Sequence, residues 1–184
     1  MTEISMTVQI AYARRPLARQ DTCAGLTPLG PDQFEGYASL FGIADGAGDT
    51  VAPGAFAASL RRRGPAQVRM LYQHFAHAPI GVWEEIREDR KGLYVRGRLV
   101  ADVEQARDVR ALLAEGALNG LSIGFRTVRA KRGAQNVRTL LEIDLWEISI
   151  VTFPLLGGST VTGVGARRLD LAQRFREAGA AISA

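Results

Sequence analysis

At 184 residues the chain fits one domain, and 47% hydrophobic with 23% charged residues and 20 Gly excludes a disordered chain. A net charge of +4, with no aromatics interleaved among the basic residues, makes no case for a nucleic-acid partner, and the single cysteine, Cys23, excludes an internal disulfide and fits a reducing compartment. No apolar run approaches the ~18–20 residues that span a bilayer and no secretory signal opens the sequence, so a soluble cytoplasmic protein without a membrane partner is expected.

Residues 1–33 carry Pro16, Pro28, Gly30 and Pro31 and read as a loosely ordered arm. The compact domain is expected over 34–165. FEGYASLFG alternates Phe34, Gly36, Ala38 and Leu40 against Glu35, Tyr37 and Ser39, the period of a half-buried strand. ADGAGDTVAPG follows as a turn-rich stretch. Pro53 then opens a short helix, AFAASLRRR, that Gly64 and Pro65 end. Its last residues, Arg61, Arg62 and Arg63, suit the negative end of the helix dipole.

VRMLYQH, residues 68–74, is the next predicted strand, and IGVWEEIRED (80–89) with GLYVRGRLV (92–100) predicts a hairpin turning through Asp89, Arg90, Lys91 and Gly92. Asp102 occupies an N-cap position, with Gln105 completing a capping box. The helix 103–115 that follows groups Ala106, Val109, Leu112 and Leu113 on one face before Gly116 ends it. LSIGFRTVRA and VRTLLEIDLWEISIV read as strands joined by a turn from Lys131 to Ala134, and STVTGV reads as a weaker strand. Arg126, Arg129, Lys131, Arg132 and Arg138 surround that hairpin as a solvated basic surface. The tail 166–184 has an amphipathic pattern through Leu169, Ala172, Phe175 and Ala178. The whole is mainly β with two or three helices and no alternating βαβ series, which predicts an α+β fold with an antiparallel or barrel-like sheet.

The chain has two histidines, His74 and His77, both in LYQHFAHAPIG. Any histidine-based chemistry must use one of them. A metal held by the pair is disfavoured, because the spacing suits a helix while Pro79 and the preceding residues predict strand and loop. Ser122, in GALNGLSIGF, opens a strand between Gly120 and Gly124. Glycines beside a nucleophile admit a substrate backbone and let main-chain N–H groups meet an oxyanion, though the same pattern fits an ordinary strand serine. In LLEIDLWEISIV a period of two puts Glu147 with Leu141, Ile143, Leu145, Ser149 and Val151, opposite Glu142, Asp144 and Trp146. A lone carboxylate on an apolar stripe needs a partner, and either an arginine or a histidine would serve. A serine, a histidine and a carboxylate are the parts of a nucleophile, base and orienter set. Spacing alone does not bring them together.

The blocks FEGYASLFG, PGAF, LYQH with PIG, LNGLSIGF and LWEISIVTFP, in this order over residues 34–155, resemble the phage prohead protease family. The resemblance implies a small closed β-barrel surrounded by a few helices, similar to the herpesvirus assembly proteases, and a serine endopeptidase that uses no cofactor or metal. It implies Ser122 as nucleophile, His74 as general base and acid because it stands five residues before Pro79, and Glu147 as the group orienting His74. His77 falls in the spacer, and Phe75 departs from the small polar or acidic residue common there. By the same resemblance the substrate is scaffold or the scaffolding segment of a major capsid protein, cut inside the immature capsid in the bacterial cytoplasm. Self-cleavage in the arm or in the tail 156–184 would also fit, as would a homodimer. The source is either an infectious phage or a domesticated particle such as a gene transfer agent. A non-catalytic scaffolding protein retaining the same fold is the alternative.

Overall fold

The computed structural model describes residues 28–133 and 137–165. Cys23, most of the predicted arm and the predicted helix in 166–184 lie outside the described residues. In chain order the elements are β1 (Gln33–Leu40), β2 (Asp49–Val51), α1 (Ala57–Arg63), β3 (Arg69–Tyr72), β4 (Pro79–Glu88), β5 (Gly92–Leu99), α2 (Glu104–Ala114), β6 (Gly120–Arg132), β7 (Arg138–Val151) and β8 (Val161–Val164).

The strands form one sheet that curls into a barrel. Antiparallel pairs join β3 to β4, β4 to β5, β5 to β1 and β1 to β8, while β7 carries β3 in parallel on one edge and β6 antiparallel on the other. The seam between the residues leading into β8 and the start of β6 is short. Leu121 N–H donates to Ser159 O at 2.8 Å and Val161 N–H to Asn119 O at 2.8 Å, on either side of a Gly120–Thr160 bridge. The segment 159–161 that leads into β8, the weakest strand prediction, therefore joins the β1–β8 end of the sheet to β6. Residues ahead of β1 are tied in as well, with Leu99 N–H donating to Asp32 O at 2.9 Å.

The interior follows from alternation. Ile80, Leu93, Val95, Leu121, Ile148 and Ile150 are buried at 0% exposure, and each such side chain contributes roughly 1.5–3 kcal/mol over an exposed one. Ala106, Val109 and Leu113 bring α2 to this core, whereas Leu112 stays on its outer side at 40% exposure.

The structure departs from the sequence expectations at three places in the fold. The turn-rich stretch contains β2, whose three residues are too few to show a period; it is held by parallel pairing with Arg138, Thr139 and Leu140 and by an ion pair from Arg138 to Asp49. The capping box at Asp102 does not form. A turn in which Val103 N–H donates to Val100 O at 3.0 Å takes up Asp102, and the helix starts at Glu104 with Val103 as its N-cap. Lys131 and Arg132 are still paired in β6, so the hairpin turn begins after them.

α1 is fastened to β7 by Asp144, a carboxylate at 3% exposure. Arg63 donates to both its oxygens at 3.1 Å, Trp146 Nε1–H donates at 2.8 Å, and Arg62 also reaches it. These bonds, led by that of Arg63 and then that of Trp146, hold the Asp144 carboxyl well below the usual carboxylate range. Two of the three arginines that suit the helix dipole thus also serve a buried anion.

Candidate active site

The first component comes from the end of β3. The predicted strand through residue 74 stops at Tyr72, and Gln73 and His74 take φ values of 51° and 61°. Left-handed backbone is uncommon for side chains larger than glycine and costs of order 1–3 kcal/mol each, so surrounding bonds must hold it. They are present. Gln73 N–H donates to Ile150 O at 3.0 Å, its side-chain amide donates to Thr152 Oγ1 at 2.7 Å, and Phe75 N–H closes the turn on Tyr72 O at 3.0 Å. The turn carries the His74 ring sideways over the β6–β7 pair.

That pair supplies the rest. Ser122 stands opposite Ser149 and Gly124 opposite Glu147, but Phe125 stands opposite Leu145, leaving Trp146 as an extra residue. The bulge reverses the phase of β7. Ile143 and Leu145 face the core before it, and Ile148 and Ile150 after it, so Glu147 and Ser149 emerge on the side away from Ile148. The uninterrupted period of two that put Glu147 on one stripe with Ile143 and Leu145 is therefore corrected: Glu147 shares the outer face of the barrel wall with Ser122.

His74, Glu147 and Ser122 meet there. His74 Nδ1 lies 2.6 Å from Glu147 Oε1, and His74 Nε2 lies 2.9 Å from Ser122 Oγ. A carboxylate only accepts, so the Nδ1 position carries the proton and Nε2 is left to accept from the Ser122 hydroxyl. Glu147 is sheltered at 14% side-chain exposure while His74 is open at 44%, so the serine–histidine end faces solvent. Of the two partners open to Glu147, it has the histidine.

Two further residues complete the arrangement and were not singled out for it. Ser149, at 0% exposure, accepts from His74 N–H at 3.1 Å and donates to Glu147 Oε2 at 2.7 Å. Its only trace in the sequence is a small polar residue two positions from Glu147 in an apolar strand. Gly124, read as admitting substrate, has a different neighbour. A Cβ there would overlap Glu147 Oε1 and lie 2.7 Å from its Cδ. Gly120 likewise gives way to Val151 and Pro154, with 2.8 Å left to the Pro154 Cδ.

Ser122 borders a cleft walled by Ile43, Val51, Phe125, Leu155 and Leu156, with Asp45 and Asp49 among the lining. His77 stacks on Phe75 at 5.5 Å between ring centres, outside the Ser122–His74–Glu147 chain. Among the described residues no group of three or more His, Cys, Asp or Glu side chains is placed to hold a metal ion. No described helix is long and apolar enough to cross a membrane.

Comparison with known proteins gives the lineage. The family model described as caudovirus prohead serine protease matches residues 27–174. The prohead protease of Enterobacteria phage HK97 is 37% identical over 129 residues, covering 66% of this chain and 55% of that protein, so the chain spans about half the length of this curated relative. Among solved structures, the bacteriophage T4 capsid assembly protease superposes with a TM-score of 0.56 at 12% identity, over 66% of this chain and 82% of that one, and has the same fold. The KSHV protease, solved with a hexapeptide phosphonate inhibitor, gives a TM-score of 0.45 at 10% identity over 70% and 63% of the two chains. With the family model spanning most of its length, the chain belongs to the caudovirus prohead serine proteases.

Proposed function

We propose that this chain is a serine endopeptidase of head maturation, in which Ser122 is the nucleophile, His74 the general base and acid, and Glu147 the group that orients and charge-balances the imidazole. The observation that carries the reading is the unbroken run of hydrogen bonds from Ser122 Oγ through the His74 ring to Glu147, at 2.9 and 2.6 Å, in a chain of this family. The chemistry follows from that order. As Ser122 Oγ bonds to the scissile carbonyl carbon, His74 Nε2 takes its proton, and Glu147 stabilises the resulting imidazolium. His74 then gives the proton to the departing amide nitrogen as the C–N bond breaks, leaving an acyl-enzyme. Water repeats the sequence with His74 as base, releases the acid and restores the Ser122 hydroxyl.

The substrate we assign is scaffold, or the scaffolding segment of the major capsid protein, cut inside the immature head in the bacterial cytoplasm. The HK97 and T4 relatives, named for prohead and for capsid assembly, support this. Self-cleavage in the arm or the tail belongs to the same reading. A cut ahead of β8 would remove a strand paired with β1, so the tail's site is assigned beyond Gly165.

Co-expression with the cognate coat and scaffold proteins tests the assignment. Ser122→Ala is expected to leave both at full length, with the wild type trimming at least one. Trimming that persists at the wild-type rate contradicts the catalytic role of Ser122.

A further inference from the structure

We propose that Ser149 is a positioning residue, whose buried hydroxyl fixes the direction and the tautomer in which His74 meets Ser122. The inference rests on the proposed serine-peptidase reading of the same site. Ser149 Oγ accepts the His74 main-chain N–H at 3.1 Å and gives its own proton to Glu147 Oε2 at 2.7 Å, while the other carboxylate oxygen, Oε1, meets His74 Nδ1 at 2.6 Å. The bonds close on themselves. They leave His74 through its backbone, pass through Ser149 and Glu147, and return to His74 through its ring.

Each bond in this ring decides something about the next. The main-chain N–H can only donate, so the single Ser149 proton is directed to Glu147. The carboxylate, bound at both oxygens, is held against rotation and keeps Oε1 on the imidazole. The imidazole in turn keeps its proton on Nδ1 and its lone pair on Nε2, 2.9 Å from Ser122 Oγ. Ser149 can do this because it is at 0% exposure on β7, where its register opposite Ser122 puts it under the site. The His74 N–H points out of a left-handed turn, at φ 61°, with the Ser149 hydroxyl as its partner. Removing that hydroxyl strips a donor from Glu147 and an acceptor from His74 together, a larger loss than one solvated bond.

Two measurements on Ser149→Ala test the role. In a Ser122→Ala background, proton–nitrogen NMR of labelled histidine reads the Nδ1–H of His74. The parent is expected to show it downfield and protected from water, and Ser149→Ala to lose it to exchange. With Ser122 intact, Ser149→Ala is expected to lower kcat roughly 10- to 100-fold through misorientation, with KM changed by less than about threefold because binding is untouched. If thermal melting shows that Ser149→Ala has not folded, Ser149→Cys, which keeps a donor and acceptor at the position but weakens both bonds, takes its place in both measurements. An unchanged kcat, or an Nδ1–H as protected as in the parent, overturns the positioning role and leaves the Ser122 assignment standing. Cleavage that survives Ser122→Ala overturns that assignment instead.

Discussion

Gly124 leaves the space that the Glu147 carboxylate fills: the two residues face each other across β6 and β7, and a side chain at 124 would sit 2.7 Å from Cδ and 2.8 Å from Cγ of Glu147. The glycine therefore acts through the carboxylate. Gly124→Ala is expected to push Glu147 off His74 and lower kcat roughly 100-fold, the cost of a displacement of about 1 Å in an aligned site. The change lies on the outer wall, away from the core, so the thermal midpoint should move little. Steady-state kinetics beside a melting curve checks both halves.

Glu147→Gln keeps the shape and removes the charge. An amide can present N–H to His74 Nδ1 and so favour the tautomer with its proton on Nε2, which cannot accept from Ser122. We expect kcat/KM at neutral pH to fall by roughly 10³–10⁴, as for the equivalent change in other serine peptidases. Nitrogen shifts of the imidazole should report the changed tautomer.

Acid stability should depend on Asp144. Its carboxyl is lowered in the folded state by Arg63 first and Trp146 second. A depressed carboxyl contributes stability that is present above its unfolded pKa, near 4, and is lost as pH falls toward the folded value. The thermal midpoint should therefore drop steeply below about pH 4. Asp144→Asn should lower the midpoint at pH 7 by roughly 5–10 °C and flatten that acid limb. A wild-type limb retained in the variant would show that other carboxylates are responsible.

At the alkaline end the sign reverses. Burial first, and then its hydrogen bond to Glu35, push the Tyr94 phenol up to about 12. A group raised on folding contributes stability that is full below its unfolded pKa, near 10, and is lost as pH rises through the folded value. Tyr94→Phe should thus remove part of the stability change between about pH 10 and 12, read by denaturant unfolding across that range.

The hairpin β4–β5 was legible because two long strand-like segments flank a short polar turn that ends in Gly92, at the point where the sequence places the glycine. β2 was not, because three residues carry no period and its pairing with β7 spans most of the domain. The site divides in the same way. Ser122, His74 and Glu147 were picked out by scarcity, flanking glycines and family resemblance, yet the phase given to Glu147 failed at Trp146, where a bulge adds one residue to β7. Bulges are set by pairing with a partner strand, so a single-strand period is blind to them. Ser149 went unread, and Gly124 was read for substrate access alone, for a related reason: what each does is defined by a neighbour more than twenty residues away in sequence, His74 for one and Glu147 for the other.

The most direct test of the central claim is covalent labelling of the nucleophile. A small fluorophosphonate, which phosphonylates activated serines, should modify the folded protein once, and peptide mass mapping should put the adduct on Ser122. His74→Ala should abolish the labelling while the protein remains folded. An adduct on a different serine, or undiminished labelling of Ser122 without the histidine, would contradict the account.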